Sequence, residues 1–483
     1  MAADLLTALR QHVRRAPNAP ALLWQTTQWS YGDLGRAIDA VAAKLQRLPL
    51  AKGDRVALLI RNCPQYAAVF YGVAAAEGVA VPLNAQERAG VLARQVEHSD
   101  CRVLAGDPRH PEWPHLVLAL AHLKIQLLPL NIVDGAESMD AICDGEVNEA
   151  PAPAVTDGQS LGMIIYTSGT TGRPKGVMLS HNNLWMNTQA IVDYLSLTAA
   201  DRGVCVLPFH FSYGNSVLNS HLAVGASLLI EDNLAFPQVT LKRIADSAAT
   251  GLAGVPSTFA LLLGRCRLQD YDLSRLRYVT QAGGPMPKPT ISRLKEALPN
   301  AELFIMYGQT EATARISYLP PAQLEAKLGS VGIPVTATEI TVRNTQDEAL
   351  AAGQNGEICV RGPGVMLGYW HDEEASAQAL RGGWLRTGDL GHIDSDGYIY
   401  IDGRAVEMIK VGAFRVSPQE VEEVITGLSG VEEVAVTAQA DDVLGQAVKA
   451  VIVKVSDAAL DERTVKAHCR QHLASYKVPK WVE

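Results

Sequence analysis

The sequence predicts an α/β protein with a large N-terminal domain and a small C-terminal one, and three observations carry that reading. Short β-type runs alternate with longer helical patterns through most of the 483 residues; near residue 338 the pattern changes to shorter strands joined by turns; after Arg404 a compact α/β pattern resumes. Such alternation favours layers built on largely parallel sheets. In order, MAADLLTALRQHVRRAP reads as an amphipathic helix with Asp4 and Arg10 inside its apolar pattern, and RVALLI (55–60) as a strand. PQYAAVFYGVAAAEG (64–78) follows as a helix and VAVPL (79–83) as a strand; GVCVLPF (203–209), SLLIED (227–232) and LRYVTQAGG (276–284) repeat the strand signature. GEVNEAPAPAVTDGQ (145–159) is proline-rich, polar and linker-like. EITVRN, GEICVRG and GYIYIDGR are the short strands beyond 338. VSPQEVEEVITGL is a helix opened by Ser417-Pro418 with Glu420, VEEVAVTAQ and AVKAVIVKV are strands, and DERTVKAHCRQHL is a helix. The domain boundary is expected near 403–405, giving domains 1–403 and 404–483.

Composition removes several classes of function. Hydrophobic content of 48% and charge of 19% describe a globular chain with a large interior. A net charge of −9 argues against nucleic acid as a partner, which would call for a basic face. The seven cysteines are scattered without a C-x-x-C pair, which suits reduced thiols better than a zinc site or disulfide framework. The N-terminus lacks the long apolar core and small-residue cleavage site of a signal peptide. The most apolar stretch, LVLALAHLKIQLLPL from Leu116, is interrupted by His122, Lys124 and Gln126, short of the ~18 uninterrupted apolar residues of a membrane span. A cytoplasmic protein is expected.

YTSGTTGRPKG (166–176) holds three glycines and five hydroxyls directly after an apolar run. A solvent-exposed hairpin would explain the composition alone. A Walker loop needs G-x-x-x-x-G-K-[ST], whereas Lys175 follows Gly172 by three and precedes Gly176. A different phosphate loop fits: glycines let backbone N–H groups approach, Thr167, Ser168, Thr170 and Thr171 donate, and Lys175 adds charge.

The string resembles the signature of the adenylate-forming superfamily, which includes acyl-CoA synthetases, peptide-synthetase adenylation domains and beetle luciferases. AGGPMP (282–287), YGQTE (307–311), GEICVRGPGVMLGYW (356–370), GWLRTGDLG (383–391) and DGYIYIDGR (396–404) follow in the family's order. The resemblance implies a large N-terminal domain of mixed sheets flanked by helices with a β-subdomain, and a small mobile α+β C-terminal domain. It implies a ligase: a carboxylate attacks the α-phosphorus of ATP, pyrophosphate leaves, and a thiol of CoA or of a carrier-protein phosphopantetheine takes the acyl group. Thr310, Glu311 and Lys175 would be catalytic, with Glu311 holding Mg²⁺. Thr167, Ser168, Gly169, Thr170, Thr171, Gly172, Gly283, Gly284, Tyr307, Asp389 and Arg404 would bind ATP. His210, Phe211, Ser212, Tyr213, Gly214, Val255 and Pro256 would line the acyl pocket, although H-x-x-G is one residue longer here (His210 to Gly214). Ser212 stands where activators of amino acids place an amine-binding Asp, so a fatty, aryl or other simple acid is preferred over an α-amino acid.

Three departures from the family fall in the C-terminal domain. Val406 replaces the hinge Asp or Lys, and KVGAFRV puts Ala413 where a glycine borders the pantetheine tunnel. The adenylation lysine, about a dozen residues past a segment like YKVPK, is expected beyond Glu483, and Lys480 is not that residue. Alternatives are an adenylase with a non-thiol acceptor and a degenerate relative that binds nucleotide without turnover.

Overall fold

A computed structural model describes residues 4–135, 137–143, 158–167, 174–231, 234–404, 408–454 and 460–483, the side chains of 139, 140, 404 and 419 excepted. Two sheets form the body. In the nine-stranded sheet, Glu302–Tyr307, Tyr278–Gln281, Gly251–Gly254, Arg202–Cys205, Ser227–Ile230 and Pro20–Trp24 run parallel. Antiparallel pairing occurs only at its edges. The seven-stranded sheet joins Leu161–Thr167, Val79–Pro82, Arg55–Leu59, Cys101–Gly106 and Gln126–Pro129 in parallel, then adds Lys175–Ser180 and Gly368–Tyr369 antiparallel.

The helix Pro64–Ala75 packs on strands of both sheets. It is apolar all round, and every residue but Ala74 is buried, as a helix enclosed by layers must be. Gly72 sets its distance from the helix Tyr31–Gln46, since a Cβ there would stand 2.7 Å from Val41. Ser30 and Ser180 open helices with reciprocal capping boxes.

Residues 339–404 form a five-stranded antiparallel sheet, and a second sheet begins at Ile409–Val411, so the change of sheet falls between Arg404 and Ile409. Val406 and most of the 145–159 segment lie outside the described residues. The helix Pro418–Thr426 starts where Ser417 caps it, and Glu462–His472 is helical as expected.

The structure corrects several sequence boundaries. Asp4 is not on the apolar face of the first helix: it is the N-cap of Leu5–Arg15, accepting from the Thr7 N–H at 2.7 Å. The strands predicted at 203–209 and 276–284 shrink to Arg202–Cys205 and Tyr278–Gln281, because their C-terminal halves leave the sheet to build the site. The apolar stretch from Leu116 resolves into the end of a short helix, Trp113–Ala119, and the strand Gln126–Pro129. No helix among the described residues is long and apolar enough to cross a membrane. None of the seven cysteines forms a disulfide.

The C-terminal domain docks through charge and aromatic stacking. Lys477 Nζ lies 2.6 Å from Glu87 of the large domain and 2.8 Å from Glu420 of its own. Burial pulls the Lys477 pKa down, but the two carboxylates outweigh it and the net direction is up. Tyr476 donates to Glu87 at 2.7 Å and stacks on Phe414, which meets Phe211 edge-on. Lys477→Met would strand two buried carboxylates and is expected to cost about 3 kcal/mol, read as a lower urea midpoint, with Glu87→Gln in the same chain restoring part of it. An unchanged midpoint in the single variant would show that Lys477 does not hold this interface.

Candidate active site

A cavity of about 480 Å³ opens between the domains, at the carboxyl ends of the parallel strands of both sheets. Ligands of open α/β sheets bind in this position, where successive strands hand over to loops. The nine-stranded sheet supplies Leu207, Pro208, 210–213, Val255, Ala282-Gly283 and 308–311; the seven-stranded sheet supplies Asn84, Glu87 and Thr167; the C-terminal domain supplies Ala413, Tyr476 and Lys477.

Each loop is fixed by a local device. The Asn62 side chain clamps both sides of Pro208, donating to the Leu207 carbonyl at 2.8 Å and accepting from the Phe209 N–H at 2.8 Å. That delivers His210 and Phe211 to the cavity wall. Gln281 donates to the Gly284 carbonyl at 2.7 Å and closes the turn, in which Gly283 adopts φ +88°. Gly308 is obligatory, because a Cβ there would sit 1.7 Å from the Ala314 carbonyl oxygen.

Thr167 and Lys175 are register partners on adjacent strands, so both face one end of the cavity. Lys175 Nζ lies 4.8 Å from the centre of the Tyr369 ring, and the Tyr369 hydroxyl donates to Glu311 at 3.0 Å. Thr310 Oγ1 donates to Ser212 Oγ at 3.3 Å, bringing the expected phosphate contact against the expected acyl pocket. Tyr307 donates to buried Asp389 at 2.6 Å. Among the described residues no cluster of three metal-ligating side chains occurs. The half-buried carboxylate of Glu311, a hard oxygen donor beside Lys175, fits a Mg²⁺ completed by phosphate oxygens and water.

The cavity thus gathers Thr167, Lys175, His210, Phe211, Ser212, Tyr213, Val255, Gly283, Thr310 and Glu311. Gly214, Pro256, Gly284, Tyr307 and Asp389 each adjoin a lining residue without lining the cavity themselves. For Gly214 the reason is packing: a Cβ would meet the Pro208 carbonyl oxygen at 2.2 Å. Ser168, Gly169, Thr170, Thr171, Gly172 and the Arg404 side chain lie outside the described residues. Sequence reasoning missed Tyr369, Arg315, Glu87 and Lys477. Tyr369 and Lys477 stood inside quoted motifs; Arg315 was signalled only as a charge opening the apolar run Ile316–Leu319.

The model of the AMP-binding enzymes matches residues 9–370 and that of their C-terminal domain matches 420–483. The chain belongs to the AMP-binding enzymes. It is 33% identical to a feruloyl-CoA synthase of an Amycolatopsis species over 98% of this chain and 93% of that one. Its fold is similar to the amide bond synthetase of Marinactinospora thermotolerans (TM-score 0.90, 27% identity, 99% and 95% covered). It is similar too to Bacillus subtilis o-succinylbenzoate CoA synthetase, a double mutant of which matches in complex with a product analogue at TM-score 0.88 (26% identity, 99% and 94% covered). In complex with its acyl-adenylate intermediate, that enzyme matches at 0.75 with the same identity and coverage.

Burial holds the His210 imidazole down to a pKa of about 3, so the ring facing the cavity is neutral near pH 7. An unfolded chain would take up that proton near pH 6.5. Below that value the unfolded state binds more protons than the folded one, so stability falls as pH drops from about 6.5 to about 3. His210→Asn is expected to flatten this part of the unfolding-stability curve; a curve parallel to wild type would show the ring to be solvated in the fold.

Proposed function

We propose that the protein activates a non-amino carboxylic acid with ATP to an acyl-adenylate and passes the acyl group to the thiol of CoA. In the first step a carboxylate oxygen attacks the α-phosphorus and pyrophosphate leaves. In the second, the thiolate attacks the mixed anhydride and AMP leaves. The observation that carries the reading is the convergence of Lys175, Thr310 and Glu311 on one end of a single cavity, with the acyl-side residues His210 to Tyr213 beside them.

Both reactants of the first step are anions, so positioning and charge neutralisation are what the site must supply. Lys175 would meet the β- and γ-phosphates and the Thr310 hydroxyl the α-phosphate. When bound, Mg²⁺ on Glu311 would screen the phosphate charge. Tyr307 and Asp389 would take adenine and ribose, and their mutual hydrogen bond would lock the two contacts together. Residues 1–403 then form the ATP and acid domain, and 404–483 the domain that closes over it. The better match to the product-analogue complex than to the acyl-adenylate complex of one relative supports an arrangement suited to acyl transfer. Requirements for ATP and CoA fit the cytoplasm.

An amine acceptor is the second reading, favoured by the likeness to an amide bond synthetase and by Ala413 at the cavity wall. Gly412 needs its glycine for φ +60°, so the hairpin turns there and leaves the Ala413 methyl facing inward.

Exchange of labelled pyrophosphate into ATP over a carboxylate panel tests activation; incubation with CoA, a phosphopantetheinylated carrier protein or an amine then identifies the acceptor by its product. Lys175→Ala is expected to slow exchange roughly 10-fold and Glu311→Ala about 100-fold or more, with folding intact. Normal exchange in both variants would overturn these roles. Ala413→Gly is expected to speed thioester formation a few-fold at unchanged exchange, and no change would remove Ala413 from the thiol's path.

A further inference from the structure

Arg315 is a buried cation, 4% exposed, on the wall of the same cavity. Its backbone is held by Asn187, which accepts from the Arg315 N–H at 3.2 Å and donates to its carbonyl at 2.8 Å. The approach to it is strained: Thr313, a β-branched residue, adopts φ +65° and is tied by its hydroxyl to the Gly364 carbonyl at 2.7 Å. The guanidinium lies 4.1 Å from the centre of the Tyr213 ring, and Nε donates to the Tyr194 hydroxyl at 3.3 Å. Tyr213 is itself anchored, donating to the Thr280 carbonyl at 2.9 Å.

The charge of this arginine is unanswered by any carboxylate of the described residues. Four acidic residues line the cavity, Glu87, Glu311, Glu357 and Glu420. Glu87 and Glu420 meet Lys477, Glu357 meets Arg386 and the Gly388 N–H, and Glu311 meets the Tyr369 hydroxyl. No carboxylate of the described residues pairs with Arg315, and its Nη groups are not among the sealed, partnerless atoms of the core, so they open on the cavity. Burying a cation without a counter-charge is costly. A planar fork of N–H donors on an aromatic face is matched by a carboxylate, which it binds bidentately.

We infer that Arg315 recognises a second anionic group on the acid, so that the substrate class is a carboxylic acid bearing a further carboxylate, a dicarboxylic acid in the simplest case. This rests on the acid-activation reading above and narrows it. Ser212 directly precedes Tyr213 and meets Thr310. The reacting carboxylate would thus lie at Thr310 while the distal one reaches along Tyr213 to Arg315. A long alkyl chain would instead press against an unanswered charge.

The test compares dicarboxylates with monocarboxylates of the same shape, succinate against 4-methylpentanoate and glutarate against 5-methylhexanoate, by pyrophosphate exchange. Wild type is expected to favour one of the dicarboxylates by about 100-fold or more in kcat/KM, because a site built to pair a polar group rejects the analogue lacking it. Arg315→Met should invert this, losing the dicarboxylate and gaining the isostere, while Arg315→Lys retains part of the preference. Equal use of both acids by wild type overturns the inference. So does an Arg315→Met variant, folded by circular dichroism, that loses both acids alike, since Arg315 would then hold the reacting end or the nucleotide. Exchange with none of a broad acid panel would instead overturn the acid-activation reading itself.

Discussion

One constraint organises this molecule: an acidic chain must draw anions together in a partly buried cleft. At about 4 Å and an effective dielectric near 20, two like charges repel by roughly 4 kcal/mol, so the position of every cation decides what can lie where. Of the basic residues on the wall, Lys477 is committed to Glu87 and Glu420, Arg386 to Asp347 and Glu357, and Arg415 stands on the strand Phe414–Val416 of the C-terminal domain. Lys175 and Arg315 have no ion pair with a described residue, and each is seated on a tyrosine ring, Tyr369 and Tyr213. Lys175 belongs to the seven-stranded sheet and Arg315 precedes Ser317–Leu319, the second strand in from an edge of the nine-stranded one. Within the large domain two separated poles follow; in the proposed reaction the phosphates would lie toward one and the acid's far end toward the other.

The scaffold makes these positions rigid by giving loops the anchors that strands would otherwise provide. Backbone polar groups leaving a sheet still need partners. Asn62, Asn187 and Gln281 supply them at 207–209, at 315 and at 284. These amides are themselves buried. Catalytic loops held by amides inside the core lose little order when an anion arrives, which is the condition for electrostatic preorganisation.

The layered fold and the cavity-lining residues Thr167, Lys175, Thr310 and Glu311 were legible in the sequence because both depend on local patterns. Strands buried on both faces read as apolar runs, and motifs such as YGQTE carry their chemistry in adjacent residues. Arg315 and the Lys477 contact were not. Tyr213 meets Arg315 across about a hundred positions, and Lys477 reaches Glu87 from the other end of the chain. Such pairs leave no periodicity or spacing. The preference for a simple fatty or aryl acid followed from Ser212 alone, where one side chain argued against an ammonium but said nothing of a second carboxylate. The strand runs ending at 209 and 284 were overextended for a related reason, since the residues that continue each run leave the sheet and Leu207, Pro208, Ala282 and Gly283 line the cavity.

The contact between the domains follows from the same charges. Glu87 and Lys477 are buried where the domains touch, Glu420 is partly so, and Glu87 Oε2 has no hydrogen-bond partner. A buried ion cluster gains Coulomb energy and forfeits hydration in nearly equal measure. Separation would return both carboxylates and the ammonium to water, so the cluster specifies one docked geometry without holding it strongly. An apolar interface of equal area would resist separation by the full transfer free energy of its surface. The stack of Phe414 on Tyr476 and its edge contact with Phe211 add modest, oriented attraction at the cavity rim. The C-terminal domain supplies Ala413 and Lys477 to a wall that the large domain leaves unfinished.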